Sequence, residues 1–160
     1  MVIKLSYGLL TKKLSVFILF IFVCGYFSFS FFKPLPVFDC DSGLYTFYLY
    51  YSSSNAQMVT VDALNAKECI KGLQNVKGEG LCLDYQIHGK QNSLNIIYGE
   101  VESKKARLVF CEKGDWGECA YYYSDRIADF CVINGEKVNV HVVIGKNSAS
   151  IGSPLLFGSF

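Results

Sequence analysis

Residues 14–32 run for nineteen positions without a charge, and eight of the nineteen are aromatic. As a helix this run is about 28 Å long at about 1.5 Å per residue, close to the hydrocarbon thickness of a bilayer. A helix packed on a soluble core needs a polar outer face. This run offers only Ser15, Ser28 and Ser30, whose hydroxyls can bond back to their own helix. The expectation is one transmembrane helix.

Lys4, Lys12 and Lys13 precede the run. Positive charge on that side holds the amino terminus in the cytoplasm and places everything after residue 32 outside. The alternative is a cleaved signal peptide and a secreted domain. Ser28 and Ser30 have the size that cleavage needs, but Phe29, Phe31 and Phe32 crowd the position, so a retained signal-anchor is the first reading. Pro34 and Pro36 then stop the helix. The chain divides into a cytoplasmic segment 1–13, a span 14–32, a linker 33–38 and one extracytoplasmic domain 39–160.

Without Lys4, Lys12 and Lys13 the fifteen basic residues become 12, against 14 acidic ones, so the outer part carries about −2. Nucleic-acid binding shows as a clustered basic excess, which this chain lacks. Intrinsic disorder is excluded by a hydrophobic content of 51%.

Six of the seven cysteines lie in the outer part: Cys40, Cys69, Cys82, Cys111, Cys119 and Cys131. An even count in an oxidising compartment predicts up to three disulfides, although six cysteines allow fifteen pairings. Burial as small apolar side chains is the alternative for some of them. No two are spaced as zinc ligands usually are, and no Cys-x-x-Cys occurs, so neither a metal site nor a thioredoxin-like centre is expected.

Residues 44–51 are aromatic and β-favouring, and after a turn of three serines residues 58–61 return as a hairpin. Asp62 stands where a helix N-cap belongs, ahead of Ala63, Ala66, Ile70 and Leu73 at helical spacing. Residues 81–87 alternate with a period of two and predict a strand. Leu94, Ile97, Tyr98 and Val101 predict a second amphipathic helix. Residues 106–111 and 119–124 flank a polar loop, making a hairpin with Cys111 and Cys119 at its shoulders, the disulfide expected first. Residues 130–133 and 137–144 flank Asn134 and Gly135, the preferred dipeptide of a two-residue turn. Residues 148–152 add a last short strand. The fold class is α+β: a largely antiparallel sheet with two helices packed on one face, behind one transmembrane helix.

Chemistry is harder to find. His88 and His141 both fall on expected strands, alternating with buried positions, so each is expected on solvent or on the second face of the sheet. Cys82 or Ser53 with His88 could form a nucleophilic pair, but no Gly-x-Ser-x-Gly pattern supports it. Asp115 with Glu118, and Glu100 with Glu102, are the nearest carboxylate pairs for glycoside chemistry, and each fits a solvated loop or helix surface better. Gly78 and Gly80 flank only Glu79 and make no phosphate loop. No cofactor is expected.

Tyr121, Tyr122 and Tyr123 must alternate across a strand, so at least one ring lies off the helix-covered face. With Trp116 and Arg126 they are the candidate binding residues, a platform for a protein or carbohydrate partner. Packing through cross-strand aromatic pairs is the competing account of the same rings. The expected function is a membrane-tethered, non-enzymatic binding or structural module. The alternative is a small extracytoplasmic thiol-dependent enzyme. Partners are the bilayer, through 14–32, and one unidentified ligand of the outer domain.

Overall fold

The computed structural model describes residues 36–52, 55–115 and 117–156, all within the unit Leu35–Phe160. The span expected over 14–32, Trp116 and Ser53 lie outside the described residues. Among those residues no helix is long and apolar enough to cross a membrane.

The elements run β1 (Leu44–Ser52), β2 (Asn55–Asp62), α1 (Ala63–Gly72), β3 (Val76–Asp84), α2 (Tyr85–His88), α3 (Lys90–Ser103), β4 (Arg107–Gly114), β5 (Gly117–Tyr123), β6 (Cys131–Ile133), β7 (Glu136–Val138), β8 (Val140–Gly145) and β9 (Ser148–Ser153). Seven strands form one sheet in the order β2-β1-β3-β9-β8-β5-β4, and β6 pairs with β7 separately. Every pairing is antiparallel. This is the α+β arrangement expected from the alternation of hairpins and amphipathic segments.

Cross-strand register shows which side each residue faces. Tyr45 stands opposite Leu81, Leu81 opposite Ile151, Ile151 opposite Val142 and Val142 opposite Ala120. These five, with Ala63, Ala66 and Ile70 of α1 and Ile97 and Val101 of α3, form one buried cluster. Both helices therefore cover the same face of the sheet. Each fully buried Leu, Ile or Phe there contributes about 1.5–3 kcal/mol.

Three local expectations are corrected. The strand over 81–87 stops at Asp84, whose carboxylate accepts from the Gln86 N–H at 2.7 Å and starts the helical turn α2. Ile87, expected in the buried alternation, is consequently 76% exposed. The strand over 137–144 breaks at Asn139, which lies between β7 and β8 with its fully buried side chain bonded to the Ser124 N–H and to the Ser124 and Ile127 carbonyls. Asp62 precedes α1 without a side-chain cap, and the Ala63 N–H donates instead to the Gly43 carbonyl at 2.9 Å. The Asn134-Gly135 turn forms as expected, with φ of 53° and 84° at its two residues.

Candidate functional site

The face of the sheet turned away from α1 and α3 carries the row Thr46, Gly80, Gly152, His141, Tyr121 and Phe110, each opposite the next. Its centre has no side chains because two of its members are glycines. The chain leaving β9, residues 154–156, lies in that trench as a strap. A Cβ on Gly80 would lie 2.7 Å from Leu156 Cδ2, and one on Gly152 would lie 2.6 Å from Leu156 Cγ. Only glycine leaves room for this close approach. The Leu156 N–H donates to His141 Nδ1 at 3.3 Å.

Beyond the strap three rings stack across three strands. Phe110 and Tyr121 have centroids 4.3 Å apart, Tyr121 and His141 4.5 Å apart. His141 is 5% exposed, and burial pushes its pKa down to about 4, so the imidazole is neutral at physiological pH. Burial first, and then the Cys119 and Glu112 charges, push the Tyr121 hydroxyl up to about 12. A cleft of about 340 Å³ lies beside the strap, lined by Thr46, Tyr48, Cys82, Ser150 and Leu156 among others.

The second concave surface follows the edge of the sheet. Residues 107–112 of β4 line a groove of about 930 Å³ whose other walls include Tyr123, Asp125 and the 134–137 turn between β6 and β7. The Arg107 guanidinium sits 5.4 Å above the Tyr123 ring. The register shifts between Leu108 and Phe110, which leaves Val109 as an extra residue. Arg107 then stands opposite Tyr123, Phe110 opposite Tyr121 and Glu112 opposite Cys119. Because residues 119, 121 and 123 share a face, so do Arg107, Phe110 and Glu112.

The third cluster lies on the core side. Glu79 is 2% exposed and accepts from the Phe38 N–H at 2.9 Å. Tyr45 donates to the Phe38 carbonyl at 2.8 Å and accepts from the Cys40 N–H at 3.0 Å. Phe38, expected at the end of a linker, is fully buried in the core. Burial raises Glu79 to about 7, opposed by the N–H groups of Phe38 and Val37 and by Lys104, and reinforced by Glu100. This carboxylate and the Tyr45 hydroxyl fix the entry of the chain into the domain.

The candidate binding residues are divided by this geometry. Tyr121 and Tyr123 share the open face, while Tyr122 packs against the core cluster on the helix side. Tyr121 is taken up by stacking, and only Tyr123 borders the groove. Arg126 donates to the Ser103 carbonyl at 2.9 Å and so serves the carboxyl end of α3. Arg107, Phe110 and Glu112 were missed by sequence reasoning, because the bulge that gathers them on one face leaves no mark in hydrophobic periodicity.

The register does not set Cys111 and Cys119, the pair expected to bridge, opposite one another. Cys111 stands opposite Ala120 and Cys119 opposite Glu112, and this offset of one residue points the two thiols to opposite faces. Cys40, Cys69, Cys82, Cys111, Cys119 and Cys131 are unbridged in this structure. Burial pushes the Cys40, Cys119 and Cys131 thiols up, away from the thiolate that nucleophilic chemistry requires. Cys82 faces the cleft by the strap, while His88 closes α2 beyond the end of β3. Of the carboxylate pairs, Glu118 is bound to Lys113 at 2.9 Å. Among the described residues no three His, Cys, Asp or Glu side chains gather as metal ligands. Comparison with family models, curated proteins and solved structures finds no match for this chain.

Proposed function

We propose that this chain is a single-pass membrane protein whose outer domain works by binding a partner and not by catalysis. The observation that carries the reading is the groove along β4, with the Arg107–Tyr123 pair on its wall. Arg and Tyr concentrate binding energy, because each combines a large apolar surface with directed polar groups. The uncharged run 14–32 behind Lys4, Lys12 and Lys13 supports the tether. Three thiols held in their protonated form count against the thiol-enzyme alternative.

Site-specific photo-crosslinking tests it. With p-benzoylphenylalanine in place of Tyr123, the membrane-bound full chain should give a discrete adduct that Arg107→Glu abolishes without lowering Tm. The same probe at Leu64, an exposed position on α1, should give none. Equal labelling from both positions, or an adduct indifferent to Arg107, contradicts the reading.

A further inference from the structure

β4 is an outer strand of the sheet, so among the described residues one side of its backbone has no neighbouring strand. Unpaired N–H and C=O groups in such a row are a template for another strand. Among the described residues β2 is the opposite edge of the sheet, and β4 lies in a groove whose other walls include the 134–137 turn. That geometry suits one extended segment and not a second whole sheet.

Charge gives the segment a direction. Arg107 and Glu112 are both exposed, and neither makes an ion pair among the described residues. They stand at opposite ends of the groove-lining stretch and, because of the bulge, on one face, with Phe110 between them. On the other walls Asp125 and Glu136 outnumber Lys137, so the groove draws basic groups in more strongly than acidic ones.

Resting on the binding reading above, we infer that the groove takes an extended peptide that joins β4 as an antiparallel strand, a basic residue beside Glu112 and an acidic residue beside Arg107. Antiparallel addition continues the pattern of the whole sheet and is the slightly more stable pairing. The direction makes the basic residue come first in the peptide. A small apolar residue midway lies against Phe110. Backbone hydrogen bonds supply affinity, and the two charges supply polarity.

The test titrates the full chain in detergent micelles into fluorescein-labelled Thr-Lys-Thr-Val-Thr-Asp-Thr and follows anisotropy. Saturable binding is expected, roughly tenfold tighter than for the peptide with Lys and Asp exchanged. The double variant Arg107→Glu, Glu112→Arg should invert that preference. If it fails to fold, Glu112→Gln should still narrow the difference severalfold. Equal affinity for the two peptides, or no saturation, overturns the inference. The Tyr123 adduct then distinguishes the two failures, since its persistence leaves the binding reading standing and its loss removes both. A concentration-dependent dimer dissolved by Glu112→Arg also overturns the inference, because it assigns the edge to a second copy, whose Arg107 would face Glu112 in the same way.

Discussion

The two faces of the sheet are both covered, but by different means. On the helix side α1 and α3 bury a continuous apolar cluster, and each element contributes side chains at its own period. The open side is closed by what is absent, the side chains at Gly80 and Gly152, together with Leu156 and a stack of three rings. Glu79 is buried within the core on one face and His141 beneath the strap on the other. Burial shifts the two in opposite directions, since it favours the neutral form of each.

The largest expected effect lies on the helix side. Phe38→Ala removes a fully buried ring and strips Glu79 of its packed surroundings, and should cost about 4 kcal/mol in denaturant unfolding. A cost under about 1 kcal/mol would return residue 38 to the linker. The open side should respond less. In Gly152→Ala the new Cβ meets Leu156 at 2.6 Å, and lifting a short strap should cost about 2 kcal/mol. A neutral Gly152→Ala would mean that the strap adds little and that the two faces differ more than the packing implies.

How much of this was legible follows from the same contrast. The helix side could be read because Leu81 and Leu83, or Ile97 and Val101, repeat at the period of their own element. The open side could not, because its ring stack joins residues 110, 121 and 141 through pairings that no local window contains. Gly78-Glu79-Gly80 did carry a signal. A strand with two glycines on one face and a carboxyl on the other points to a close approach on one side and a buried acid on the other. Its meaning depended on where residues 38 and 156 fold back. The same limit explains Cys111 and Cys119, whose symmetric place in the hairpin suggested a bridge until the bulge fixed a register that separates them.

The smallest effect concerns those thiols. Cys111 is exposed and Cys119 is buried with its pKa raised, so a maleimide at neutral pH should label Cys111 rapidly and Cys119 only on unfolding. Cys111→Ser should change stability by no more than about 0.5 kcal/mol. A peptide linking the two cysteines in a non-reducing digest would contradict the register.

The most direct test is the pH dependence of unfolding for the full chain and for Glu79→Gln and His141→Gln. Glu79 rises from 4.5 to about 7 on folding, so its contribution is complete below about pH 4.5 and is lost as pH climbs towards 7. His141 falls from 6.5 to about 4, so its contribution is present above pH 6.5 and is lost as pH drops towards 4. Each amounts to about 3 kcal/mol across its window, with opposite slopes that offset one another between about pH 4.5 and 6.5. The account predicts a nearly flat profile there for the parent chain. Glu79→Gln should gain stability with rising pH and His141→Gln should lose it. Parallel profiles for all three proteins would contradict a sheet sealed on both faces.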